Sequence, residues 1–334
     1  MRSVLSICAI VALTLAISGT AWGPAAHYYF TCKAVRGNPL CMNEGKNWDL
    51  LSGTEMPDSL IFGDMVSGNP CTGFGMLHNL YFAGFQLQLA LKEARENNTC
   101  YSTLPGVKNS DSCFSAVDFA LGFGAHVVAD IAAFFSNDAY LGDGYKPSTP
   151  SSVAGEKNWI SIWPFMTAVD AYVRQTKLGV GSRIPDTLHN LPSNATEFLV
   201  RANAAFAAAF PTEPIPAPTA AEFGECANQW HYVIENEGRK AASLPNASYQ
   251  WEMVYNDRMG ATNFSDAAAN FEKASWCTQY PIDVWMGIVL GGESPILAFN
   301  TTLQWYVEAF QQGLCSKNPI SPPKEKPSSR KWLF

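Results

Sequence analysis

From Ala116 to Phe135 the chain reads AVDFALGFGAHVVADIAAFF. Apolar residues occupy nearly every side of a helix drawn through this stretch. Such a helix must be buried on most of its faces, and the rest of the chain has to pack around it. Within it His126 and Asp130 stand four residues apart, so they project from one face. A histidine and an aspartate set deep in an apolar helix are costly to bury without partners. The spacing has two readings at this point, a His–Asp hydrogen bond inside the core or a pair of ligands offered to one metal ion.

The remaining pattern is also helical. Leu80 to Glu96 places apolar clusters three and four residues apart and ends in charged residues. Glu197 to Phe210 is rich in alanine and phenylalanine. Ser265 to Trp276 begins on a residue suited to cap a helix, and Ile296 to Leu314 is amphipathic and ends near Gly313. Strand signals are sparse, and no internal repeat is present. Glycine and proline gather at Gly142 to Ser152 and Pro211 to Pro218, which read as connections. The fold class expected is all-α. With 334 residues, 47% of them hydrophobic, the chain can bury a sizeable core. Residues 22–315 are expected to form one helical domain. The proline- and lysine-rich segment 316–334 is expected to be a flexible tail.

The first 21 residues have the form of a signal peptide. Arg2 precedes an apolar run, Val4 to Ile17, and Ser18-Gly19-Thr20-Ala21 sets small residues before a cleavage point at Trp22. No later segment is apolar for long enough to act as a transmembrane anchor. The expected location is therefore outside the cell or in an endomembrane lumen. Of 9 cysteines, Cys8 belongs to the leader, and the even number left suits disulfides. Cys32–Cys41 and Cys100–Cys113 are tempting local pairs, but spacing does not fix connectivity. No CxxC occurs, which argues against a thiolate zinc site. Sequons at Asn97, Asn194, Asn246, Asn263 and Asn300 are candidate glycan sites. A net charge of −7 counts against stable nucleic-acid binding.

Cleavage before Trp22 would leave the mature start Trp22-Gly23-Pro24-Ala25-Ala26-His27. A free N-terminal amine sheds its proton more readily than a lysine, and with its own carbonyl oxygen it can chelate a metal ion. His27 adds an imidazole. Further candidates are His78, just before the Leu80 helix, Asp58 after Pro57, and Asp64 after Gly63. Taken singly, a lone histidine suits a structural hydrogen bond, and an aspartate after proline suits a turn or cap.

WGPAAH, Pro57-Asp58, His78 and FALGFGAHVVAD follow one another in the order and rough spacing of the zinc-dependent phospholipase C family. Over Trp22 to about Tyr140 the chain resembles that family. Its relatives include the catalytic domain of glycosylphosphatidylinositol-specific phospholipase D and, more distantly, fungal single-strand nucleases. The resemblance implies a compact all-helical bundle around a zinc cluster. It implies one Zn2+ ion held by Asp58, His78, His126 and Asp130. A second would be held by the Trp22 amine and carbonyl, His27 and a bridging Asp130. Water activated between the two ions would attack a phosphodiester, with a phospholipid or lipid-linked substrate, and Asp58 is the candidate acceptor of its proton. Asp64 is the alternative aspartate in that loop.

The resemblance breaks at the third ion. The family places a histidine one turn after the Asp130 position, where this chain has Phe134. The next helix should carry an HxxxE or HxxxD pair, yet Ile162 and Met166 occupy the aligned positions, and neither binds a hydrolytic zinc. His231 and Glu235 have helical ligand spacing but lie far downstream, and they read better as a polar helix face. His189 reads as structural. Phe134, Phe135, Trp159 and Trp163 suit either a wall for acyl chains or core packing. The expectation is a secreted two-zinc phosphodiester hydrolase whose third ion is lost. Its alternatives are a nuclease-like phosphodiesterase and a zinc-binding module without catalysis.

Overall fold

A computed structural model describes residues 22–34, 48–60, 71, 77–97, 114–135, 169–179, 193–210, 219–242, 248–249, 262–290, 294, 297, 300–302 and 304. The expected leader 1–21 and expected tail 316–334, with Asp64, His189, Ile162, Met166, Trp159, Trp163 and Asn246, lie outside these residues. The described chain is helical apart from one short antiparallel pair, Ser248–Tyr249 with Thr262–Asn263. The helices are α1 (Pro24–Ala34), α2 (Trp48–Glu55), α3 (Leu80–Asn97), α4 (Ala116–Phe135), α5 (Ser193–Ala209), α6 (Ala220–Ala242) and α7 (Phe264–Leu290). A 3-10 turn, Met56–Leu60, follows α2 directly, and a π-helical turn, Arg174–Leu178, closes the helical stretch 169–178. None of the described helices is long and apolar enough to cross a membrane.

The chain divides into two compact units, and α4 runs from the first, which ends a segment at Val127, into the second, which resumes at Val128. In the first unit α2 crosses α4 at two glycines. A Cβ on Gly53 would stand 1.9 Å from the Phe119 carbonyl oxygen, and one on Gly122 would stand 1.9 Å from that of Leu50. No other residue lets these backbones approach so closely. Around the crossing, Phe82 packs edge-on against Phe123 and Phe206, with ring centroids 5.8 and 5.5 Å apart. On the surface Arg201 grips Glu93 with two parallel bonds of 3.2 and 3.1 Å, linking α5 to α3. Cys71 and Cys226 form a disulfide across 155 residues of sequence, so it closes a long loop in the unfolded chain. Neither cysteine belongs to the tempting local pairs. Cys32 is disulfide-bonded as well, while Cys41, Cys100 and Cys113 lie outside the described residues.

In the second unit α1 packs on α7. The Trp22 ring meets Phe30 edge-on at 5.1 Å, and Phe30 stacks on Phe271 at 5.6 Å. The Gln279 amide of α7 donates to the Phe30 carbonyl at 3.2 Å. Helix α7 outruns the expected Ser265–Trp276 at its C-terminal end and begins at Phe264, so Ser265 lies within the first turn rather than capping it. The helix passes through Pro281. A proline inside a helix costs about 3 kcal/mol, and the burial of Phe271, Ile282, Trp285, Met286 and Val289 offsets that cost. Of the sequons, Asn194 and Asn300 have exposed side chains.

Candidate metal centre

The first unit places three donors. Helix α4 starts at a fixed point because Ser115 caps it. Its Oγ accepts the Asp118 amide at 3.2 Å, and its own amide donates to Asp49 Oδ2 at 2.7 Å. Burial pushes the Asp49 carboxyl up to about 6, and the Ser115 amide pulls against that rise only in part. Asp58 stands in the buried 3-10 turn that continues α2, rather than in an open loop. Ser59 holds that turn closed by donating from Oγ to the Met56 carbonyl at 2.7 Å. His78 lies immediately before α3. The next residue, Asn79, caps that helix by accepting the Tyr81 and Phe82 amides at 2.8 and 3.2 Å.

Asp58 Oδ1 lies 3.4 Å from His78 Nε2 and 3.5 Å from His126 Nε2, and the two Nε2 atoms lie 3.2 Å apart. The other ring nitrogen of His126, Nδ1, faces the Thr54 carbonyl oxygen at 2.6 Å. A carbonyl only accepts, so Nδ1 carries the proton and a neutral His126 points its Nε2 lone pair at Asp58 and His78. His78 Nε2 either donates a proton into this group or, like His126 Nε2 and Asp58, offers a lone pair that a cation among the three can share. Donors bound about 2.0–2.2 Å from one tetrahedral ion stand about 3.3–3.6 Å from each other, so the three separations here leave room for a single ion. Burial pushes the Asp58 carboxyl up, and only protonated His126 and His78 beside it outweigh that and hold it below the ordinary carboxylate range. With both imidazoles neutral, that positive charge has to come from a cation among the donors.

The second unit gathers the other donors. Asp130 Oδ1 lies 3.2 Å from His27 Nε2 and 3.3 Å from the Trp22 backbone nitrogen. The Trp22 indole donates to the Ala129 carbonyl at 3.1 Å, which anchors the residue to α4. Because α4 is continuous, Asp130 follows one turn after His126. Asp58, His78, His126 and Asp130 each bring one donor atom to within 4.8 Å of the others, all four residues being buried. This donor set, two imidazoles with two carboxylates and no thiolate, can hold a metal ion.

The first turn of α1 shows how Trp22 and His27 are positioned. Gly23 is the N-cap position, Pro24 the first helical residue, and the His27 amide donates to the Gly23 carbonyl at 3.1 Å. Glycine has no side chain to satisfy the next amides. Asp170 does so instead, accepting the Ala25 amide on Oδ2 at 2.9 Å and the Ala26 amide on Oδ1 at 3.1 Å. Arg174, one turn on and 1% exposed, sets its guanidinium 3.8 Å from Asp170 Oδ2.

Of the six residues named from the sequence, Asp58, His78, His126 and Asp130 form the cluster that can hold a metal ion, and Trp22 and His27 lie against Asp130. His231 lies on α6 and is not in the cluster of described donors. The side chains of Glu235, Phe134 and Phe135 are outside the described residues, though their backbones are helical. Sequence reading missed Asp170 and Arg174. The Gly-Pro pair after Trp22 signals a helix start, but nothing local marks an aspartate 145 residues away as its cap. It also missed Thr54, which contributes a carbonyl oxygen and so leaves no side-chain signature. No family model, curated protein or solved structure matches the chain.

Proposed function

We propose that this protein is a secreted, zinc-dependent phosphodiester hydrolase of phospholipase C or D type, working with two zinc ions. The observation that carries this reading is Asp130. Its Oδ1 faces the Trp22 nitrogen and His27, and the same carboxylate belongs to the cluster with Asp58, His78 and His126. One carboxylate shared by two donor sets is the arrangement a paired metal site requires. Asp58, His78, His126 and Asp130 would hold one ion; Trp22, His27 and Asp130 would hold the other. Bound zinc supplies an acidified water and positive charge against phosphate oxygens. The residues supply the rest. Thr54 fixes the His126 tautomer, and Asp58 is the carboxylate placed to accept a proton. The disulfide Cys71–Cys226 suits the secretory location.

The second reading is a zinc-binding module without catalysis. Its supporting observation is burial, since Trp22, His27, Asp58, His78, His126 and Asp130 are each at most 1% exposed, and closed sites are the mark of structural zinc. A nuclease-like activity is less favoured, because the net charge of −7 repels a polyanion.

Metal analysis and hydrolysis of a chromogenic phosphodiester by the protein beginning at Trp22 separate these readings. Two zinc ions per chain, with hydrolysis lost on chelation and in His126→Ala, is the expected result. Two ions without hydrolysis of choline, inositol or chromogenic phosphodiesters means the structural module. No bound metal at neutral pH overturns both.

A further inference from the structure

We infer that Asp170, steadied by Arg174, is a positioning residue that latches the new N-terminus and sets the Trp22/His27 half of the metal site. This rests on the two-ion reading above and assigns that half its control element. The inference stands on the geometry of the first turn of α1. The Ala25 and Ala26 amides, which have no partner within that turn, are both taken by the Asp170 carboxylate, one oxygen each. That bidentate grip fixes the turn in position and in rotation about its axis. His27 directly follows Ala26, and Trp22 directly precedes Gly23, with Pro24 opening the helix between them. The grip therefore acts on the same turn that carries both donors to Asp130.

Two further features fit a latch rather than an ordinary cap. A Cβ on residue 23 would stand 2.5 Å from Asp170 Cγ and Oδ1 and 2.8 Å from Oδ2. Only glycine beside the mature N-terminal residue admits the carboxylate. Asp170 is 4% exposed and Arg174 1%, so the negative charge facing the helix start is sheltered from screening and strengthened by the helix dipole. Arg174 opens a π-helical turn, an irregularity that often accompanies functional positions in helices. The buried Arg174 guanidinium pairs with the same carboxylate and steadies it at the start of α1.

The test uses the protein beginning at Trp22 with Asp170→Asn, which keeps the size and one acceptor, and with Gly23→Ala, which leaves Asp170 intact but displaces it. Two measurements are made. Amide exchange at Ala25 and Ala26 in metal-free protein should quicken by about tenfold, the loss expected from one cap, while amides in α3 and α5 keep their rates. In zinc titrations one equivalent should weaken by about tenfold, as expected for loss of a supporting residue. The other, at Asp58, His78 and His126, should keep its affinity. Unchanged exchange at Ala25 and Ala26 overturns the latch. Equal weakening of both equivalents also overturns it, because that is what a general loss of stability does. Should wild type bind no zinc, the metal reading fails by itself, and the exchange measurement still decides the latch. Should Asp170→Asn fail to fold, Gly23→Ala carries both measurements.

Discussion

The Nδ1–H of His126 donates to the Thr54 carbonyl at 2.6 Å. The last turn of α2 therefore sets which nitrogen of a residue on α4 faces Asp58. The contact joins two links, since the Gly53/Gly122 crossing brings the helices together and the hydrogen bond turns that approach into a defined tautomer. A side chain is dispensable on the Thr54 side, because only the backbone takes part. Thr54→Ala is expected to cost about 1 kcal/mol through the lost Oγ1–H bond to Leu50 and to leave zinc affinity unchanged. His126→Ala should weaken binding at that site by at least about 100-fold, more than the loss of an outer-shell partner. Competition with a chromophoric chelator measures both. Comparable losses in the two variants would show that Thr54 acts through its side chain.

Asp49 makes stability depend on pH. Its carboxyl is raised from 3.8 to about 6 in the folded protein, so between those values the folded state binds more protons than the unfolded state. The stability it allows is fully present below about pH 4 and is lost as pH rises through 6. The loss amounts to at most about 3 kcal/mol above that point. Asp49→Asn retains an oxygen for the Ser115 amide and cannot ionise. The variant should match wild type near pH 4 and exceed it by roughly 1–3 kcal/mol at pH 7. Denaturant unfolding of metal-free protein across this range checks the sign, and a variant less stable than wild type at pH 7 contradicts it.

Gly122→Ala should be among the most damaging small substitutions in the first unit. The added carbon would meet the Leu50 carbonyl oxygen at 1.9 Å and the Thr54 amide nitrogen at 2.9 Å. Backbone cannot swing aside as a flexible side chain can, so α2 and α4 must separate. The expected cost is about 3 kcal/mol or more, read from thermal or denaturant unfolding without metal. Zinc affinity should fall with it, since Asp58 follows α2 and His126 lies on α4. Gly224→Ala is the control, because nothing lies within 4 Å of its added carbon.

Much of this is legible in the sequence where chemistry is local. The apolar run Ala116–Phe135 forms a helix with those bounds, because burial on most faces leaves a continuous signal. Helical spacing alone places His126 and Asp130 on one face. Asp58 and His78 are legible only through motif order, since they reach His126 and Asp130 by tertiary packing that no local pattern encodes. Asp170 shows the limit. Its role depends on two backbone amides 144 and 145 residues away, and backbone amides carry no residue identity. The close crossing of α2 and α4 is hidden for a similar reason, for Gly53 and Gly122 read as helix weakeners until their neighbours are known. The expected helix ends at Trp276, whereas α7 runs on through Pro281 to Leu290, packed against α1.

The Trp22 nitrogen yields the narrowest prediction. It lies 3.3 Å from Asp130 Oδ1, the position of an amide donor when a residue precedes Trp22 and of an amine when none does. An amide nitrogen has its lone pair delocalised into the carbonyl and is no ligand at neutral pH, whereas a deprotonated amine is. One added alanine before Trp22 should therefore weaken the Trp22/His27 ion by at least about tenfold, a lower bound taken from the loss of an outer-shell partner. The ion at Asp58, His78, His126 and Asp130 should be retained. Titration of zinc into the two metal-free forms, both purified under oxidising conditions, reads each equivalent separately. Loss of neither would show that the amine is no ligand. Equal loss of both would show that the extension disturbs the fold of α1 rather than one donor.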